Sequence, residues 1–137
     1  MRRVLLSALA LTLAAVVPAR AEDGSTSIAQ YLADWSRIDG VAVQKEIETT
    51  GTFDPDKHPI LAKAVTQMRQ IALAYRERIK AERTAGQAPH SCLPDGETEI
   101  TSDILLAHLR SYPLQQRADK TIADAFAELM RKTYPCA

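Results

Sequence analysis

The sequence predicts an all-α fold: a small helical bundle of about four helices closed by one disulfide, after a cleaved signal peptide. Three observations carry this expectation. Apolar residues recur every three or four positions through most of the chain, which is helical spacing. No stretch alternates apolar and polar residues as a half-buried strand does. Two cysteines, Cys92 and Cys136, lie behind a leader that would carry them into an oxidising compartment.

The leader comes first. Arg2 and Arg3 form a positive start, Val4 to Val17 is apolar except for Ser7 and Thr12, and Pro18-Ala19-Arg20-Ala21 offers an A-x-A site before Glu22. The apolar run is about 14 residues, shorter than the roughly 20 of a spanning helix. Cleavage after Ala21 is therefore expected. Residues 1–21 become a signal peptide, residues 22–137 a single helical domain, and the periplasm the destination. Removing Arg2, Arg3 and Arg20 leaves 14 Lys and Arg against 17 Asp and Glu, a net charge near −3. Without a basic excess, neither nucleic acid nor an anionic membrane is an expected partner.

A first helix follows a cap at Thr26 or Ser27, with Ile28, Tyr31, Leu32 and Trp35 on one face, and ends near Asp39-Gly40. Val41 to Thr50 is ambiguous: Val41, Val43 and Ile47 fit a short helix, while Thr49-Thr50-Gly51-Thr52 reads as a turn. Phe53 to Pro59, with two prolines and two aspartates, reads as a loop. The longest element runs from Pro59 to about Ala85 on a stripe from Leu61 through Ala64, Met68, Ile71 and Tyr75 to Ile79, with Pro59 where a first-turn proline is tolerated. Its far end mixes Arg76, Arg78, Lys80 and Arg83 with Glu77 and Glu82, the pattern of a solvated helix end, with a partner-binding face as the alternative. Gly86 stops it, and Gln87 to Gly96 is a loop holding Cys92.

Thr101 or Ser102 caps the next helix, which buries Ile104, Leu105, Leu109 and Tyr112. Pro113 separates it from a last helix over about Leu114–Thr133, with Ala118, Ile122, Ala125, Phe126, Leu129 and Met130 at helical spacing. Pro135 ends that helix just before Cys136. A Cys92–Cys136 bond would then pin the two helices at the end opposite the Pro113 turn. It closes a loop of 44 positions, which the chain-entropy model values at roughly 4 kcal/mol. A small domain with a modest core has need of it.

Residues that carry chemistry are sparse. His58, His90 and His108 fall on a loop, a loop and a helix with no H-x-x-x-H or H-E-x-x-H spacing, and read as separate surface histidines. Asp54 and Asp56 share a short acidic loop that lacks the glycine and terminal glutamate of a calcium site, so they read as the approach to the long helix. Nucleophile elbows and glycine-rich phosphate loops are missing from a chain with five glycines. No catalytic residue, metal or cofactor is expected, and the residues argue for a binding or structural protein, not an enzyme.

The C-terminal stretch adds a resemblance. It reads Ser91-Cys92-Leu93-Pro94, a turn with Asp95-Gly96, a helix closing with Leu109-Arg110-Ser111-Tyr112-Pro113, and finally Tyr134-Pro135-Cys136. This resembles the Rap/Tai-like family of immunity proteins for type VI secretion amidases, over the span Ser91 to Cys136. The resemblance implies an exported helical protein whose partner is an exported cell-wall amidase that it binds and blocks. Cys92 and Cys136 carry over as the disulfide, Pro94, Pro113 and Pro135 as helix punctuation, and Leu109 as core. No inhibitory residue carries over, so the binding surface is not named. Family members often have further cysteines in the N-terminal half, and this chain has none. The alternative is an Hde-type periplasmic acid-stress chaperone, since 17 carboxylates losing their charge would leave a strongly positive chain. Self-association into a homodimer stays open.

Overall fold

Four of the six helix starts among the described residues are set by short polar side chains. In the computed structural model, which describes residues 25–137, Ser27 caps α1 (Ile28–Trp35) by accepting from the Gln30 N–H, and Ile28 and Tyr31 turn inward. The signal-peptide reading of residues 1–21 lies outside the described residues. Asp39 caps α2 (Gly40–Thr50) by accepting from the Ala42 N–H. The ambiguous segment is thus helical, and the expected turn starts only at Gly51, where φ is 81°. Glycine holds that left-handed conformation without the steric cost of a Cβ. Thr49 and Thr50 stay in the helix, their hydroxyls donating to the Lys45 and Glu46 carbonyls. Only Val43 of α2 is buried, and Val41 is 82% exposed.

The long helix α3 (Pro59–Thr84) has 26 residues, roughly 39 Å at 1.5 Å per residue. Ala64, Gln67, Ile71, Tyr75 and Ile79 face the core. Gln67 is a polar member of that stripe, and its amide nitrogen donates to Thr26 Oγ1 at 2.9 Å. A buried amide so paired avoids the cost of an unmade hydrogen bond. Thr101 caps α4 (Ser102–Ser111), which buries Leu105, Leu106 and Leu109. Ile104, expected inside, is 43% exposed, while Leu106 takes an inward position.

The last helix is not continuous. It divides into α5 (Leu114–Arg117) and α6 (Ile122–Thr133), so the described residues form six helices where about four were expected. The break has a tertiary cause. Thr121 adopts extended backbone (φ −80°, ψ 157°) and pairs antiparallel with Ser27 in an isolated bridge. Ile28 N–H donates to the Lys120 carbonyl and Ile122 N–H to the Thr26 carbonyl, both at 2.9 Å. The first N–H of each helix would otherwise lack a partner. Each helix start therefore satisfies the other, and Thr121 then caps α6 by accepting from Asp124 N–H.

The core lies where α4 packs on α6 and α1 rests on α3. Ile28, Leu109, Ile122 and Ala125 have no exposed surface. Cys92 and Cys136 are bonded, as expected, 44 positions apart. Beside the bond, Cys92 N–H donates to the Tyr134 carbonyl and Glu99 N–H to the Tyr134 hydroxyl, each at 2.9 Å. At the far end of α4, Arg117 donates to the Tyr112 and Arg110 carbonyls at 2.8 and 2.6 Å, a cation on the negative end of a helix. Among the described residues no helix is long and apolar enough to cross a membrane.

Candidate binding surfaces

Three glutamates, each on a different helix, fasten the irregular segments to the bundle. Glu46 of α2 accepts from Asp54 N–H at 3.1 Å and Lys57 Nζ at 2.8 Å, and bonds His58 Nε2 at 2.9 Å. The Lys57 ammonium and the Asp54 amide hold its carboxyl down to about 2, because both favour the charged form. Glu82 of α3 accepts from Arg78 Nε at 2.8 Å and from the backbone N–H of His90 at 2.7 Å, which lowers its pKa in the same way. Glu128 of α6 accepts from Lys120 and the Tyr112 hydroxyl, and Lys120 is the main reason that its pKa is lowered.

The three histidines remain apart, one near each glutamate. They are half-buried, whereas the sequence suggested surface positions. His58 sits on Glu46. His90 faces Tyr75, whose hydroxyl lies 2.8 Å from His90 Nδ1 and 2.8 Å from Ser91 Oγ. His108 Nε2 lies 3.0 Å from both the Ala125 carbonyl and the Tyr112 hydroxyl. Burial lowers the pKa of His90 and of His108, since desolvation disfavours the imidazolium. Ser91 is fully buried, so its oxygen serves the Tyr75 network and is closed to an incoming substrate.

Among the described residues, no group of three or more His, Cys, Asp or Glu side chains is arranged to hold a metal ion. Asp54 and Asp56 do local work, with Asp56 N–H donating to Asp54 Oδ1 at 2.9 Å and Lys57 Nζ 3.7 Å from Asp54. They close the turn leading into α3, as the sequence suggested.

Several clefts open to solvent among the described residues, and two of them bear on binding. One, of about 230 Å³, is apolar and lies between α1, α3 and α4, with Trp35, Leu61, Val65, Met68 and Leu105 in its walls. The other, of about 360 Å³, lies between the C-terminal half of α3 and the loop after Cys92. Arg76, Lys80 and Arg83 form one wall of this second cleft and Leu93 to Gly96 the other. Arg76 crosses it to donate to the Gly96 carbonyl at 2.6 Å. The charged end of α3, read from sequence as solvated, thus divides. Arg78 turns to Glu82, while Arg76, Lys80 and Arg83 share the cleft, as their spacing of four and three residues along a helix allows. No family model matches the chain, and neither a curated protein nor a solved structure does.

Proposed function

We propose that the chain is a periplasmic inhibitor that binds another protein, an immunity protein that blocks an exported peptidoglycan amidase of type VI secretion. The observation that carries this reading is the order of landmarks Cys92-Leu93-Pro94, Leu109, Pro113 and Tyr134-Pro135-Cys136, together with the bond that joins its two ends. In an inhibitor such a bond keeps a small domain rigid among cell-wall hydrolases, and rigidity lowers the entropy lost on binding. The test is direct. The oxidised protein is mixed with exported amidases and hydrolysis of peptidoglycan is followed. Stoichiometric inhibition of one of them supports the reading, and undiminished activity with no complex on size exclusion sinks it.

The second reading, an Hde-type acid-stress chaperone, is favoured by one observation: Glu46, Glu82 and Glu128 each fasten a loop through their charged form. Acid would neutralise all three. Suppression of client aggregation at about pH 2 with none at pH 7 supports that reading, and its absence at both removes it.

A further inference from the structure

The basic cleft departs in charge from the chain as a whole. Past the expected cleavage site the chain carries 17 acidic against 14 basic residues, yet the cleft gathers Arg76, Lys80 and Arg83 against a single carboxylate, Asp95. Arg83 has no ion-pair partner among the described residues, and Lys80 has only the exposed Glu77 at 4.0 Å. Apolar groups line the cleft beside the cations, Ile79 on α3 and Leu93 and Pro94 on the opposite wall. We propose that this cleft docks an acidic, partly apolar segment of a partner protein, with Lys80 and Arg83 as its main charge contacts.

Size and spacing fit such an occupant. A volume of about 360 Å³ exceeds the space of a lone carboxylate or phosphate and takes two or three side chains. Arg76 and Arg83 are separated by roughly 10 Å along the helix axis. An extended peptide rises roughly 3.3 Å per residue, so acidic side chains at alternate positions meet successive cations while the intervening ones turn away. Charge complementarity favours an acidic occupant, because three cations line the cleft against one carboxylate. The outer wall follows directly on Cys92, so the Cys92–Cys136 bond and the Arg76–Gly96 contact set the width of the cleft. This surface does not depend on the partner being an amidase.

The probe is a fluorescein-labelled eight-residue peptide of alternating glutamate and leucine, titrated into the oxidised protein at low ionic strength and followed by anisotropy. Saturable binding is expected, weakening as salt rises to 0.15 M, where the screening length is about 8 Å. In the Lys80→Glu/Arg83→Glu variant two attractions become repulsions, and affinity falls roughly tenfold or more. The variant keeps the far-UV spectrum and melting point of the parent, since both side chains are exposed. It gains affinity for a lysine–leucine peptide of the same length. Binding that is unchanged in the variant, no binding at low salt, or equal competition by free glutamate and by inorganic phosphate at the peptide's concentration would each overturn the proposal.

Discussion

Replacing both Cys92 and Cys136 with serine removes the crosslink while leaving two small polar side chains at exposed positions. The loop it closes spans 44 positions. Chain entropy lost by the unfolded state on closing such a loop is about 13 cal/mol/K, or roughly 4 kcal/mol at room temperature. The native state keeps Cys92 N–H on the Tyr134 carbonyl and the Tyr134 hydroxyl on Glu99 N–H, so the folded side of the balance changes little. For a domain of this size about 4 °C of melting point accompanies each kcal/mol. The variant should therefore melt about 10–16 °C below the oxidised parent. Circular dichroism at 222 nm on oxidised parent, reduced parent and variant measures it. Reduced parent and variant should coincide. A variant melting within about 2 °C of the oxidised parent would refute the crosslink argument, and a reduced parent well below the variant would place the loss in thiol chemistry instead of chain entropy.

Three other perturbations probe different parts of the molecule. Leu109→Ala empties a fully buried site between α4 and its neighbours, and urea unfolding should show a loss of about 2–5 kcal/mol; a loss below about 1 kcal/mol would mean that the site collapses or is not core. Thr121→Ala removes the side chain that caps α6 and should cost about 1 kcal/mol, with amide exchange rising at Asp124 more than at Gln30 of α1. Stability should also fall with pH in two stages. His90 and His108 have lowered folded pKa values, so the unfolded chain takes up protons first and stability declines as pH drops below about 6.5. Glu46, held near 2 in the fold against 4.5 for the free group, adds a second decline from about pH 4.5 towards 2. Urea midpoints against pH should show both, and Glu46→Gln should make the second shallower, with the lowered Glu82 and Glu128 supplying the rest.

Local rules reached far along this chain, and they failed where distant residues decide. Pro59 as the first residue of α3 and Thr101 as the cap of α4 follow from side chains next to the elements they start. The disulfide was readable from two cysteines behind an expected leader. Helix α2 was ambiguous because its apolar face is thin, with one buried residue, and its support comes from Asp39 and Gly51 at its ends and from the Glu46 contacts with a loop eight to twelve positions away. The break before α6 was missed because Ala118 and Lys120 are good helix formers. What interrupts them is Ser27, more than ninety positions earlier. One local sign was present: Thr121 followed three residues later by Asp124 is a capping pattern. The basic cleft had a periodic signal in Arg76, Lys80 and Arg83, but its second wall comes from Leu93 to Gly96 and is placed by a bond to the chain's far end.

The glutamates bear on how the two functional readings divide. Glu46, Glu82 and Glu128 lie at the joints between α2, α3 and α6 and the segments beside them, outside the apolar cluster. Protonation cancels the charge at each joint and leaves the apolar contacts in place. Acid should therefore loosen the joints before it disrupts the core. At one joint the consequence is specific. Glu82 holds His90, and His90 covers one side of Tyr75, which stands edge-on to Phe126. Freeing His90 would bare one side of Tyr75 while the disulfide still ties the loop to the tail, and on the chaperone reading that is the apolar site exposed in acid. An inhibitor needs those joints closed at neutral pH and gains nothing from opening them, whereas a holding chaperone works only once they open. Glu82→Gln separates the readings: binding of a hydrophobic dye should appear at a higher pH than in the parent if the joint controls exposure, while partner binding at pH 7 should persist if the joint only stiffens the fold.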